Sequence, residues 1–280
     1  MQGILVCNHF LKSEKFETLH RHYAACAAKR GHDLQVCTNL ELACTPDSAI
    51  RTDYVLFLDK DVVLARRLEK LGLPVFNSAR AIALCDDKAK TYTELLGYVP
   101  QPETLAAPLS FFASDYSEFV GYAVEKLSLP LVFKACCGSF GAQVFLCQTK
   151  EEIYAHIEPG VPFLLQRFVA SSAGRDVRIE VIGGRAVCKM ARQNAADFRA
   201  NLTNGGVAMP AAITPAERET AEKCAAVLGC DFCGVDLFAD GSVCEVNSNA
   251  HVMNLLDATG VDCADLILQY IEGKIQCRES

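Results

Sequence analysis

Two rhythms of apolar residues alternate along the N-terminal part of the chain. Residues 3–8, GILVCN, form a continuous apolar run of strand length, and Lys15–Lys29 then repeat apolar positions at helical spacing until Gly31 ends the pattern. Short runs at Asp33–Cys37, Tyr54–Leu58 and Pro74–Phe76 read as further strands, with a helical segment, Asp61–Leu71, between the last two. Strands alternating with helices predict a parallel, doubly wound sheet whose ligands sit at the carboxyl ends of its strands. At Ser78 the pattern changes: SARAIALCDDKAKTYTELLG starts on an N-cap residue and reads as one helix to Gly97, where Val99-Pro-Gln-Pro stops it. A boundary is therefore expected near residue 78.

Asp115–Leu127 predicts another helix, and LPLVFKACCGSFGAQVFLC after it reads strand, loop, strand. In the loop Cys137-Gly138-Ser139-Phe140-Gly141 the glycines let backbone amides approach an anion such as phosphate, and Lys134 stands on the strand leading in. No Gly-Lys-Ser/Thr follows, so this is not a P-loop, and taken alone it is equally an ordinary hairpin connection. Pro162–Val169 reads as a strand ending in Gln166-Arg167-Phe168-Val169, and Asp176–Val181 and Ala186–Ala191 as strands hinged on Gly183-Gly184. The stretch RQNAADFRANLTNGG holds Arg192, Arg199 and Asn201 and has no apolar stripe. It is either a solvated loop or a cover closing over an anionic reacting group, with Arg199 as the clamp. Thr214–Leu228 predicts an amphipathic helix with Thr214 as N-cap and Glu217 at the capping-box position, and Ala264–Glu272 a closing helix.

Two apolar runs flank Asp240-Gly241 in CGVDLFADGSVCEVNSN, the signature of a two-residue hairpin turn. That turn sets Leu237 opposite Cys244, Asp236 opposite Glu245 and Gly234 opposite Asn247. Side chains alternate across a strand, so Val235, Leu237, Cys244 and Val246 are expected on a core face, and Asp236, Glu245 and Asn247 on the other. Carboxylates side by side, about 5 Å apart at Cβ, repel unless a cation lies between them. Oxygen ligands alone, with no His or Cys on that face, suit Mg2+ or Mn2+ rather than zinc. The plainer alternative is a surface hairpin with solvated acids; the apolar setting of these acids favours a metal.

Composition narrows the partners. With 280 residues, 51% of them hydrophobic, the chain can bury a large core, and a formal charge of -7 argues against an electrostatic grip on nucleic acid. The N-terminus has no basic region before MQGILVCNHF and no apolar stretch is long enough to span a bilayer, so no membrane partner and a cytoplasmic location are expected. The 15 cysteines fall mostly in apolar segments, as at Cys7, Cys37, Cys147, Cys188 and Cys244, where they suit small buried hydrophobes in a reduced compartment. Cys230 and Cys233 form a CxxC without a second pair at zinc-finger spacing. GxGxxG is absent, which disfavours a nicotinamide dehydrogenase and makes the first unit a substrate surface instead.

Four pieces in order, NSARAIALCDDKAKTYTELLGYVPQPET, PLVFKACCGSFGAQVFL, GRDVRIEVIGGRAVCKMARQNAADFRANLTNGG and GVDLFADGSVCEVNSNAHV, resemble the ATP-grasp superfamily and, within it, the RimK-like carboxylate–amine ligases. The NLTNGG segment with the Asp and Glu-Val-Asn hairpin is the most specific match. The resemblance implies an α/β (α+β) ATP-grasp fold: a doubly wound parallel α/β domain over 1–77, a central small domain over 78–165 and a C-terminal domain over 166–280, with ATP between the last two. By matching position, Lys88 and Lys134 look like the nucleotide lysines and Gly138, Ser139, Phe140 and Gly141 like a lid over the phosphates. Gln166, Phe168 and Val169, with Arg167 among them, would form the adenine hinge, and Asp176 a ribose-side or phosphate-side contact. Arg192 and Asn201 resemble triphosphate ligands, Arg199 sits where such ligases stabilise an acyl phosphate, and Asp236, Glu245 and Asn247 match the magnesium ligands.

Taken singly, Lys88 is a solvated helix lysine, Lys134 an edge lysine and Asp176 a turn acid; together and in order they read as a site. The implied reaction transfers ATP's terminal phosphoryl group to a small-molecule or peptide carboxylate, and an amine such as glutamate then attacks to leave an amide, ADP and phosphate. The alternatives are a peptide-modifying macrocyclising ligase of the same fold and a non-catalytic ATP-binding protein; a homo-oligomer is compatible with all three. Ser248-Asn249-Ala250-His251 departs from the Ser-Pro-Gly-like turn of many relatives, leaving His251 either a substrate contact or a packing residue. Cys136-Cys137 also replace the more polar residues often seen ahead of the loop.

Overall fold

The computed structural model describes residues 1–110, 115–138, 141–202, 205–249 and 251–279. Strands β1 (Gln2–Cys7), β2 (Asp33–Thr38), β3 (Tyr54–Phe57) and β4 (Val75–Phe76) form the expected parallel sheet, in the order β2-β1-β3-β4. β1 and β3 read as unbroken apolar runs because helices cover both faces of the sheet. Helix α1 (Glu14–Lys29) packs Leu19, Tyr23, Cys26 and Ala27 against the Leu5 side. A capping box between Thr38 and Glu41 starts the short α2 (Asn39–Cys44), whose Thr-x-x-Glu signature is present in the sequence, although no helix is expected there. Helix α3 (Val62–Lys70) puts Leu64, Ala65 and Leu68 against the Val6 and Phe57 side.

The single helix expected over 78–97 is two. Ser78 caps α4 (Ala79–Cys85) as the sequence indicates, but α5 (Lys88–Glu94) starts afresh after Asp87. Asp87 is extended, its carboxylate accepts from the amides of Ala89 and Lys90, and it bridges to Cys137 of the glycine loop. This competition for backbone groups breaks the helix and carries Lys88 to the loop, where its own amide donates to Cys136 O at 2.9 Å.

The central unit is an antiparallel sheet, β5-β8-β6-β7, made by β5 (Thr104–Ala106), β6 (Leu131–Ala135), β7 (Val144–Cys147) and β8 (Phe163–Arg167). Helices α6 (Ser117–Leu127) and α7 (Lys150–Ala155) cover one face, where Phe133 and Phe163 stack at 5.0 Å. The division expected at 165/166 falls inside β8, which stays in this sheet as far as Arg167.

β9 (Arg175–Ile182), β10 (Arg185–Gln193), β11 (Val207–Pro210), β12 (Phe232–Leu237) and β13 (Val243–Asn247) make a second antiparallel sheet, β11-β10-β9-β12-β13. Helix α8 (Pro215–Leu228) lies on one face with the expected Thr214–Glu217 capping box, and Cys85 and Leu95 join the same core. On the other face α9 (Val252–Thr259) and α10 (Cys263–Glu279) pack with α1, so the first and last parts of the chain share one core. α10 is longer than the closing helix expected. Buried Asn77, after β4, stitches the parts together: its side-chain amide donates to Phe232 O and Ser248 O, both at 2.9 Å. No helix among the described residues is long and apolar enough to cross a membrane.

Glu180 of β9 is 1% exposed, and its Oε2 has no hydrogen-bond partner among the described residues. Burial, reinforced by neighbouring Cys188, pushes its carboxyl from 4.5 up to about 8, so the folded chain holds this proton at neutral pH. Between those two values the unfolded chain has lost the proton and the folded chain has kept it, so this group's contribution to stability falls as pH rises through the window. Urea titrations should show wild type losing a few kcal/mol relative to Glu180→Gln between about pH 5 and pH 8, with no further divergence above.

Candidate active site

Alternation on β6 sends Leu131 and Phe133 into the core of the central unit, and Val132 and Lys134 to the opposite face. On neighbouring β8 Gln166 faces the same way, opposite Val132 in register. Across from them the β12–β13 hairpin supplies Glu245, and α5 supplies Lys88 from the end created by the break at Asp87. These groups bound one cleft between the central and C-terminal sheets.

Of the residues expected at a site, Lys88, Lys134, Gly141, Gln166, Arg167, Phe168, Val169, Asp176, Arg199, Asn201 and Glu245 line this cleft. Gly138, Arg192, Asp236 and Asn247 do not, and Ser139 and Phe140 lie outside the described residues. Val132, Val144, Ser172, Arg175, Phe198, Phe238 and Cys244 line it without having been singled out. Val132 was findable, two residues before Lys134 on one strand. Phe198 was not: it comes from a loop without periodicity, and its ring meets Phe168 edge-on at 6.3 Å.

The hairpin register holds where it was anchored on the acids: Gly234 pairs with Asn247, Val235 with Val246 and Asp236 with Glu245. Nearer the turn it slips, because Leu237 pairs with Val243 rather than Cys244, through a β-bulge. A bulge sets two residues against one and turns them to the same side. Val243 therefore takes the core place expected for Cys244, and Cys244 joins Glu245 in the cleft wall. Burial pushes the Cys244 thiol up to about 12, which keeps it protonated and inert.

Asp236 finds its cations in the protein itself, on the β9–β10 side away from Glu245. Arg178 grips Asp236 through two donors at 2.7 Å, Arg192 grips Asp176 through two at 2.6 Å, and Arg192 also reaches Asp236 at 2.9 Å. Two acids and two guanidinium groups thus form a balanced, largely buried quartet that meets the cleft at Asp176. Burial opposes ionisation of Asp236, but Arg178 and Arg192 prevail and hold it below the usual carboxylate range. Glu245 sits nearer solvent, with Lys88 Nζ 3.8 Å away. Asn247 has a buried amide nitrogen without a hydrogen-bond partner among the described residues, and an amide flip would turn its oxygen the same way. Glu245, Asn247 and the remaining lone pairs of Asp236 are hard oxygen donors, so the residues fit an Mg2+-type ion.

Lys134 is buried and forms no ion pair with the described residues, and Lys88 Nζ donates to Gly138 O at 3.5 Å and pairs with Glu245. Arg199 donates to Gly141 O at 2.6 Å and pairs with Asp197 at 2.6 Å; this hydrogen bonding raises its pKa and lowers that of Asp197. Gly141 has φ +70, and a Cβ there would come within 3.5 Å of both Arg199 and Asn201, so the glycine loop rests directly on the polar segment. Gln166 donates to Thr104 at 2.8 Å, which fixes the buried end of the hinge strand. The cleft lining thus combines apolar side chains, Val132, Val144, Phe168 and Phe238, with the cations of Lys88, Lys134 and Arg199. A planar apolar group joined to a polyanion is complementary to it.

Residues 85–271 match the RimK-like ATP-grasp domain. The chain is 33% identical over 231 residues to human N-acetylaspartylglutamate synthase A, covering 79% of this chain and 58% of that protein's length. It is 35% identical over 217 residues to a Halorhodospira halophila protein named "Probable alpha-L-glutamate ligase", covering 74% of this chain and 70% of that one. In three dimensions it superposes on D-alanine–D-alanine ligase from Bacillus anthracis with a TM-score of 0.77 at 18% identity, over 99% of this chain and 98% of that one, a likeness of fold.

Proposed function

Because the chain belongs to the RimK-like ATP-grasp family, we propose that it joins a carboxylate to an amine as an amide, converting ATP to ADP and phosphate. One cleft lined both by apolar side chains and by Lys88, Lys134 and Arg199 is the observation that supports this most directly. Gln166–Val169 would border the adenine, with Phe168 and Phe238 as its walls. Lys88 and Lys134 would take the phosphates, and Arg199 would answer the charge that grows on the transferred group. Phosphate arriving at Arg199 would compete with the Gly141 carbonyl, which couples loop position to nucleotide binding. Glu245, Asn247 and Asp236 would hold Mg2+, or Mn2+ in the same oxygen set; when bound, the ion screens phosphate charge during transfer.

Phosphorylation makes an unreactive carboxylate an acyl phosphate, which an amine opens without a protein nucleophile. The loop and Arg199 would shield it from water. Glutamate, present in the names of both relatives, is put forward as the amine, and a small molecule or peptide as the acid. The chain spans 58% of the human synthase's length, so these substrates are proposals for this chain. The reading also places the protein in the cytoplasm, where its thiols would stay reduced. A screen of acids with glutamate and other amino acids, scored by Mg2+-dependent phosphate release and product mass, tests it. Release is expected only with both substrates present, with a product heavier by one glutamyl residue; no nucleotide binding and no release with any pair would reject the proposal.

A further inference from the structure

We propose that His22, Cys26 and Asp262 form a site for one zinc-class divalent cation, away from the nucleotide cleft, that clamps α1 to the segment leading into α10. His22 and Cys26 are four residues apart on α1 and so lie one above the other on a single helix face. Asp262 meets them from the turn between α9 and α10, 236 residues from Cys26. His22 Nε2 lies 2.9 Å from Asp262 Oδ1 and 3.6 Å from Cys26 Sγ, and Cys26 Sγ lies 3.6 Å from Asp262 Oδ2. One donor atom of each residue falls within 4.8 Å of the other two.

A tetrahedral zinc with Zn–S of about 2.3 Å and Zn–N or Zn–O of about 2.1 Å has sulfur edges of about 3.6 Å and a nitrogen–oxygen edge of about 3.4 Å. The sulfur edges already have this length. His22 Nε2 is hydrogen-bonded to the other carboxylate oxygen, Oδ1, so the site closes when the Asp262 carboxylate turns to present one oxygen to the ion, or binds it through both. A nucleophile relay is a poor description of the same atoms. It would place thiol and carboxylate on opposite ring nitrogens, whereas here both face Nε2.

The mixed nitrogen, sulfur and oxygen set selects a borderline ion such as zinc over magnesium, which keeps to oxygen. Three protein donors leave a fourth position for water, and His22 and Asp262 are 22% and 33% exposed, which gives an ion its way in. Cys26 is sealed from solvent behind them. Arg30, one turn further on, is spent on Asp265 and Glu272 and does not compete for Asp262. None of the three residues lines the cleft, so a cation here would act on how the first and last parts of the chain hold together.

The test titrates the reduced full chain with Co2+, a spectroscopic stand-in for Zn2+, with excess Mg2+ present to fill oxygen-only sites. One equivalent should produce thiolate-to-cobalt charge-transfer absorption, bleached by one equivalent of Zn2+, and Zn2+ should raise the melting temperature. Cys26→Ser should lose the absorption, His22→Gln should weaken binding by about tenfold or more, and Cys230→Ser, which alters the buried CxxC, should keep both. Should Cys26→Ser not fold, His22→Gln at its partly exposed position still decides the matter. Absence of the absorption in wild type, binding undiminished in His22→Gln, or absorption that survives in Cys26→Ser and vanishes in Cys230→Ser would each overturn the site.

Discussion

Mg2+-dependent ADP formation is expected to fall by about two to three orders of magnitude in Glu245→Ala, the scale on which removal of a single charge-stabilising group acts. The fold should survive, because Glu245 is 29% exposed and its ion-pair partner among the described residues is Lys88, at 3.8 Å. No core volume is lost and no buried charge is stranded. The variant should keep wild-type circular dichroism and melting temperature while ATP turnover disappears, and added Mn2+ should restore little. ADP formed at the wild-type rate would remove Glu245 from the metal set and, with it, the main chemical support for a ligase. Retained nucleotide binding with lost turnover would be the clearest agreement, since the lysines and the hinge remain.

The opposite pairing of effects is expected for Arg192→Ala. Arg192 is almost completely buried and answers both Asp176 and Asp236, so its removal leaves two carboxylates, Asp236 sealed and Asp176 at the cleft wall, with Arg178 alone. Stranding a charge in this way costs about 3–5 kcal/mol, or roughly 10 °C in melting temperature for a chain of this size. Arg192→Lys keeps the charge but loses the paired donors, and should fall between the two. Neutralising one acid as well, in Asp176→Asn with Arg192→Ala, should recover part of the loss, because the two sites are coupled. Thermal denaturation followed at neutral pH decides the point. An unchanged melting temperature in Arg192→Ala would mean that the quartet carries no net stability.

Much of the architecture was readable from local pattern. The four parallel strands, the Ser78 cap, the Thr214–Glu217 capping box and the Asp236–Glu245 pairing all rest on signals contained within a few neighbouring residues. The misses have identifiable causes. The helix expected over 78–97 broke at Asp87 because that residue's partners include Cys137, on a loop fifty positions away. Cys244 was assigned to the core because strict alternation allows no bulge. Arg192, expected beside the nucleotide, lies outside the cleft lining and is bound to Asp176, which does line it.

What the sequence by itself determined is the kind and order of the elements, the supply of two lysines and an arginine for an anion, and the placing of three oxygen-bearing side chains along one hairpin. Periodicity, caps and turns are enough for that, since each acts over a turn of helix or a pair of strands. Tertiary structure alone decided which acid meets solvent and which is sealed. Asp236 is neutralised by Arg178 from 58 residues away, while Glu245, directly opposite in register, is left to the cleft. The energy of a charge depends on what surrounds it in space, and neighbours brought together by a fold leave no mark in the spacing of residues along the chain.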